Sequence, residues 1–191
     1  MRNILKLGLF LCIIASIAGW SISYVNGITY PLIQEQLEKE KLAGFQEVYP
    51  GAGEVKDESN TYLSSNSDSI LTEVNVVYQE NNPVGVIYIA EPVGYGGVMQ
   101  LLVGIDINGK DITAIKVLSQ TETPGLGTNA QKSFFTDRFK GKSAGSMLEV
   151  VTKEPVGDNQ VLAITSATIT SKAVTDGVNA ARQHFLDNFG E

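Results

Sequence analysis

The sequence holds one cysteine and one histidine among 191 residues. Cys12 lies inside an apolar stretch. The chain therefore forms no disulfide with itself and supplies no cysteine-ligated metal or iron–sulfur centre. His184 alone excludes a zinc site built from several histidines. Redox chemistry on this chain needs an organic cofactor. Positive charge is also scarce: 14 basic side chains face 21 acidic ones, a net charge of −7. Arg2 and Lys6 are the only basic groups before residue 35, and no acid precedes it. The acidic excess thus falls on the remainder, which would repel a phosphate backbone and argues against nucleic-acid binding. A chain that is 43% hydrophobic and 18% charged, with 19 glycines and 6 prolines, is neither collagen, nor a coiled-coil rod, nor wholly disordered. Its length suits one globular domain plus an appendage, at roughly 100–200 residues per domain.

What is present begins with a membrane-length segment. Leu7 to Gln34 carries no charge, and its core, Leu7 to Val25, reads LGLFLCIIASIAGWSISYV. As a helix this core rises about 28 Å, close to the hydrocarbon thickness of a bilayer. Basic residues before it and Glu35 and Glu38 after it place the N-terminus in the cytoplasm and the rest outside. Trp20, Tyr24 and Tyr30 suit the outer interfacial belt. Bulky Leu11 before Cys12 fits a lipoprotein acylation site poorly. A cleavable signal peptide, with Ser16-Ile17-Ala18 at the cut, is the alternative. The uncharged stretch continues well past Ala18, which favours a retained anchor.

Past the anchor, Ile33, Leu37, Phe45 and Val48 predict a helix over 30–48, ended by Pro50-Gly51. Residues 51–70 read as a polar surface loop, with Ser64 to Asp68 at its centre. Strands follow at Glu73 to Glu80 and Val84 to Glu91, turned by Asn81-Asn82-Pro83. A second pair, Val98 to Ile107 and Ile112 to Ser119, is joined through Asn108-Gly109, a hairpin signal. Residues 129–140 read as a helix with Phe134, Phe135 and Phe139. Short strands are expected at Met147 to Thr152 and Val161 to Ile164. A helix from about Thr170 to Leu186 closes the chain, with Val174, Val178, Ala181 and Phe185 as its apolar stripe. Antiparallel strands with segregated helices make the fold class α+β.

Three segments rich in glycine or threonine stand out. Gly94-Tyr95-Gly96-Gly97 is either a flexible turn or a place where backbone approaches a flat ligand or phosphate closely. Glu122-Thr123-Pro124-Gly125-Leu126-Gly127 is either a structural connector or a loop that clamps a ring with Leu126. Thr165-Ser166-Ala167-Thr168 begins the last helix. Its hydroxyls either cap that helix, through Thr170 or Ser171, or stand where a helix N-terminus favours a phosphate.

Residues 94–127, GYGGVMQLLVGIDINGKDITAIKVLSQTETPGLG, and 164–174, ITSATITSKAV, follow the single anchor in order. Together they resemble the FMN-binding G subunit of the Rnf ion-translocating ferredoxin:NAD oxidoreductase. The related C subunit of the sodium-translocating NADH:quinone reductase, usually longer, shares the FMN-binding domain and is the alternative. The expected organisation is an anchor over 1–28, a juxtamembrane helix over 29–50 and, from the resemblance, an FMN-binding domain over 51–191. It implies FMN esterified through its phosphate to Thr168, installed from FAD by a separate flavin transferase outside the cytoplasm. Thr165 and Thr170 are the secondary attachment candidates. Ser166, Ala167 and Lys172 flank the attachment, Lys172 as a possible phosphate partner or simply a solvated lysine. Glu122, Thr123, Gly125, Leu126 and Gly127, with Gly94, Tyr95 and Gly96, would hold the flavin. Glu122 would accept a hydrogen bond from the flavin or brace its own loop. The implied role is an electron relay between membrane subunits, one of them carrying a second flavin. No residue of the span is charged, so ion movement would belong to the partners.

The chain departs from the family pattern twice. Ser166 stands where the family has glycine, and Leu162 stands where an acid often lies six places before the modified threonine. Two other function classes remain: a scaffold that keeps the fold without flavin, and an exported hydrolase with a Ser or Thr nucleophile. The hydrolase would need His184 as base. Helical spacing sets His184 about 120° off the apolar face, toward solvent.

Overall fold

The computed structural model describes residues 2–63, 70–154 and 156–190. Helix α1 spans Arg2–Val48. Its residues through Lys41 form one unit, and Leu42–Glu191 form a second. The first unit contains a segment long and apolar enough to cross a membrane, with none of it buried. Three hydroxyls there are satisfied inside the helix. The Ser16 hydroxyl donates to the Cys12 carbonyl at 2.8 Å, Ser21 to Ile17 at 2.8 Å and Thr29 to Val25 at 2.9 Å. A span in hydrocarbon needs such internal partners, because no water is there to replace them.

The second unit is built on one antiparallel sheet in sequence order, β1-β2-β3-β4-β5. The strands are β1 Glu54–Asp57, β2 Leu71–Gln79, β3 Asn82–Ala90, β4 Gln100–Asp106 and β5 Ile112–Ser119. In β3, successive residues from Val86 to Ala90 are all buried, so both faces of the sheet are covered. One face carries Val74, Val86, Tyr88, Leu101, Val103 and Ile105. Phe135, Phe139 and the stripe Val174, Val178, Ala181 and Phe185 complete that core. The stripe lies on helix α4, Thr168–Phe189. The opposite face carries Val77, Ile87, Ile89 and Leu102 and packs on Phe45, Val48 and Tyr49 from the end of α1. The Tyr49 hydroxyl reaches Asp106 Oδ1 at 2.7 Å and the Val84 carbonyl at 3.0 Å. Burial first, then the hydrogen bond to Asp106, pushes that hydroxyl's pKa well above the usual tyrosine value. The Thr113 hydroxyl donates to the Val48 carbonyl.

The α+β class and the two long hairpins stand as the sequence suggests, and several details differ. Residues 51–70 are not all loop. Glu54–Asp57 pairs with β2 as an edge strand, and Ser59–Tyr62 forms helix α2. An edge strand of this kind is short and charged, so period-2 alternation does not reveal it. The expected loop residues 64–69 lie outside the described residues. The first hairpin turns at Glu80 and Asn81, both left-handed at φ 49° and 70°, one residue before the expected turn. The second turns with Lys110, not Asn108-Gly109, in the left-handed region at φ 53°. There the Gly109 N–H donates to Asp106 Oδ2 and the Lys110 N–H donates to the Asp106 carbonyl. The expected helix over 129–140 is a 3₁₀ turn at Gly127–Gln131 followed by a single α turn, α3, at Ser133–Thr136. The two short strands are β6 Glu149–Val151 and β7 Gln160–Leu162, which pair in parallel as a separate ribbon.

His184 does not face solvent. It is half-buried, with Nδ1 at 3.3 Å from the Tyr88 hydroxyl and Nε2 at 3.1 Å from the Tyr62 carbonyl. Segment 59–63 covers that flank of α4, a long-range contact that helical spacing alone does not anticipate.

Candidate functional site

The three singled-out segments meet at one end of the sheet. They line a cleft of about 610 Å³ formed by Tyr95, by Glu122, Thr123, Leu126 and Gly127, and by residues 166–170. Each wall is preset by local chemistry. The Val93↔Val98 bridge closes the first turn, with Gly97 at φ 145° and the Gly94 N–H donating to the Gly97 carbonyl at 2.8 Å. The second wall is tied by its own side chains. The Gly125 N–H donates to Thr128 Oγ1 at 3.0 Å, and Asn129 Nδ2 to the Gly125 carbonyl at 2.8 Å. Gly125 itself is left-handed at φ 77°.

Glu122 joins the walls. It is 5% exposed, and both carboxylate oxygens accept hydrogen bonds. The Thr170 hydroxyl donates to Oε2 at 2.6 Å, and the Gly96 N–H donates to Oε1 at 2.9 Å. The neighbouring glycines leave room for it. A Cβ on Gly94 would fall 2.3 Å from Oε1, and one on Gly127 would fall 2.3 Å from Oε2. A Cβ on Gly96 would fall 2.2 Å from the Thr121 carbonyl oxygen. Close approach, not flexibility, is what these glycines supply. The carboxylate braces the other two segments rather than its own loop alone.

The third wall is the start of α4. The helix begins two residues before the expected position, with Ala167 at the N-cap and no side-chain cap. Neither Thr170 nor Ser171 caps it. The Thr170 hydroxyl is taken by Glu122, while Ser171 Oγ accepts from the Ile164 N–H at 2.9 Å and donates to the Ala167 carbonyl at 2.9 Å. Thr168 is the first helical residue and is exposed. An uncapped first turn leaves backbone N–H groups directed outward with a positive partial charge, the chemistry that holds a phosphate. Ser166, just before the cap, is left-handed at φ 61°.

Of the residues expected at a site, Tyr95, Glu122, Thr123, Leu126, Gly127, Ser166, Ala167, Thr168 and Thr170 line the cleft. Gly94, Gly96, Gly125, Thr165 and Lys172 are not in the lining; Gly125, Thr165 and Lys172 are exposed, Lys172 one turn along α4. Ile169 also lines the cleft, is 58% exposed, and is not among the residues the sequence marks. Its only signal is an isoleucine at the second position of a helix, off the apolar stripe. Leu162 ends β7, and its carbonyl accepts a hydrogen bond from Arg138.

Over 193 aligned residues the chain is 36% identical to the G subunit of the Na(+)-translocating ferredoxin:NAD(+) oxidoreductase complex of Acetobacterium woodii. The match covers 95% of this chain and 91% of the relative. The chain belongs to the Rnf G-subunit family. Its residues 94–183, which contain all three walls, match the FMN-binding domain family. A second relative of the same type, from the proton-translocating ferredoxin:NAD(+) oxidoreductase complex of Clostridium ljungdahlii, is 44% identical over 101 residues. That match covers 53% of each chain. The crystal structure of the Na(+)-translocating NADH-quinone reductase C subunit from Parabacteroides distasonis is similar at a TM-score of 0.53 and 27% identity. The likeness covers 62% of this chain and 63% of that one.

The site of this G-type protein fits FMN. The cleft volume lies within the usual range for a cofactor pocket, about 300–1,000 Å³. Tyr95, Leu126 and Ile169 give it exposed apolar surface for a ring, at 71%, 41% and 58% exposure. The uncapped turn and the exposed Thr168 hydroxyl stand where a phosphate would be held.

Proposed function

We propose that this G-type protein carries FMN as a phosphoester on Thr168 and relays electrons within an Rnf-type membrane complex. The observation that carries this reading is the placement of Thr168: exposed, first in an uncapped helix, on the wall of the one cleft that all three motifs share. When bound, FMN passes one or two electrons at a potential set by its surroundings. The chain's own residues bind and orient. Thr168 supplies the hydroxyl oxygen that bonds to phosphorus. Loading from FAD would cost Thr168 its hydroxyl proton and release AMP. The first-turn amides meet the phosphate charge. Leu126, Ile169 and Tyr95 would hold the ring against their exposed apolar surface.

The reading extends to the setting. The α1 span anchors the chain in the cell membrane as a single pass, with the N-terminus cytoplasmic and the domain outside, following the charge on its flanks. The anchor is residues 1–28, the juxtamembrane helix 29–50 and the FMN-binding domain 51–191. The partners are the other membrane subunits, a second flavin-carrying subunit among them, and a flavin transferase. Na(+) translocation is named for the Acetobacterium relative and proton translocation for the Clostridium relative. The coupling ion of this chain follows from its partners.

Flavin fluorescence of the full chain on a denaturing gel tests the linkage. The chain is exported in a host with an active flavin transferase, beside Thr168→Val. The expected result is fluorescence that survives denaturation in the wild type and is lost in the variant. A dark wild-type band would reject the covalent reading and favour a scaffold protein of the same fold.

A further inference from the structure

We propose that Glu122 is the positioning residue of the flavin site, a clasp that sets the Thr168 wall before any cofactor arrives. The proposal rests on the reading of Thr168 as the acceptor and goes beyond it by assigning what holds that acceptor in place. Glu122 lies 26 residues from Gly96 and 48 from Thr170, yet it bonds to both. Both carboxylate oxygens are used, one for each neighbouring wall. Among the described residues no lysine or arginine pairs with it, so hydrogen bonds alone offset its burial. A buried carboxylate in that state needs every donor it has. The donors are therefore constrained as much as the acceptor is. The bond to Thr170 fixes the first turn of α4 two residues after Thr168, and the bond to Gly96 fixes the turn that carries Tyr95.

The geometry also explains why Thr170 does not compete with Thr168. Thr170 is 1% exposed, and its hydroxyl proton is committed to Glu122. Among the described residues Thr168 has no such commitment, and it lines the cleft. The clasp thus selects the acceptor as well as placing it. Each Glu122 oxygen accepts one hydrogen bond from within the protein, which is what makes it a clasp between the two walls.

The test compares the rate of flavin loading of the full chain, followed by intact mass, for wild type, Glu122→Gln, Thr170→Val and Thr170→Ser. Glutamine keeps the shape but replaces one acceptor by a donor. Valine keeps the volume but removes the hydroxyl. Each is expected to slow loading about tenfold or more, the loss that fits one hydrogen bond to a charged group. Thr170→Ser restores the donor and is expected to load within about twofold of wild type, a rescue that follows from the retained hydrogen bond. Wild-type rates in both Glu122→Gln and Thr170→Val would overturn the proposal. So would a serine variant as slow as the valine variant. A second arm needs no flavin. In a Thr168→Val chain, adding Thr170→Val is expected to speed amide hydrogen exchange across 165–171, because the first turn loses its tether. Unchanged exchange there would overturn the clasp. If wild type itself fails to load, the Thr168 reading falls, and the exchange arm still decides the clasp.

Discussion

The domain uses glycine at two places, and the two differ in what the missing side chain admits. On the α1 face, a Cβ on Gly85 would lie 2.2 Å from the Tyr49 ring. One on Gly104 would lie 2.6 Å from the Val48 carbonyl oxygen, and one on Gly44 would lie 2.5 Å from Leu102. That seam is closed, and the Tyr49 and Thr113 hydroxyls pair within it. At the cleft, Gly94, Gly96 and Gly127 also admit close neighbours, but the neighbours are a carboxylate and loop backbone. This second seam ends at an uncapped helix and an exposed hydroxyl. Close approach alone is a packing device. It becomes a site where the contact leaves donors and a nucleophilic oxygen facing open space.

The largest expected effect breaks the closed seam outright. A chain starting at Gly51 would expose Val77, Ile87, Ile89 and Leu102, which now pack on Phe45, Val48 and Tyr49. At about 1.5–3 kcal/mol per large side chain, the loss rivals the whole stability of a small domain. We expect it to aggregate, while a chain starting at Leu42 gives a soluble, cooperatively melting domain. Thermal unfolding of both chains checks this, and equal melting would remove the seam's importance.

Single Cβ additions separate the seams. Gly104→Ala and Gly127→Ala each force a sub-contact distance on a packed neighbour and should cost about 1–3 kcal/mol by denaturant titration. Only Gly127→Ala should also lose flavin loading in its folded fraction, because its Cβ meets Glu122 Oε2. Loading that falls equally in both would mean that stability, not the cleft, sets it.

A pH series compared between wild type and Tyr49→Phe probes the closed seam. The Tyr49 hydroxyl has a folded pKa raised above the unfolded value, by burial first and then by Asp106. The stability it contributes is fully present below the unfolded value of about 10 and is lost as pH rises beyond it. Melting temperature should therefore fall above that pH. Tyr49→Phe should flatten the fall while lowering stability near neutrality by about 1 kcal/mol for the lost hydrogen bond. Buried Tyr88, raised mainly by desolvation, and Tyr78, raised first by its hydrogen bond to Glu58, leave a residual slope. A slope unchanged in the variant would contradict the assignment.

The smallest effect concerns the family departure at Ser166. A serine held at φ 61° is strained where glycine is not. Net of glycine's greater unfolded freedom, Ser166→Gly should stabilise the domain by at most about 1 kcal/mol. A small rise in melting temperature checks it. A fall would mean that the serine side chain contributes something the geometry does not show.

Much of the fold is legible in the residues themselves. The strands of β2 to β5 and the α4 stripe follow from apolar period and turn chemistry. The three wall segments stand out because glycine and hydroxyl residues cluster there without serving either period. The rest depends on contacts between residues distant in the chain. Nothing local marks Glu54–Asp57 as an edge strand or pairs Glu149–Val151 in parallel with Gln160–Leu162. His184 turns inward because Tyr62, 122 residues away, covers it. The bracing role of Glu122 is invisible in ETPGLG itself, since both of its partners lie in other segments.

The central claim is that Thr168 of the cleft bears FMN, and peptide mapping tests it most directly. Digestion after Lys153 and Lys172 releases one peptide containing Thr165, Ser166, Thr168, Thr170 and Ser171. Fragmentation of that peptide, from chain matured with a flavin transferase, should place one FMN less one water on Thr168 and on no other hydroxyl. FMN on Thr165 or Thr170, or an unmodified peptide, would contradict it.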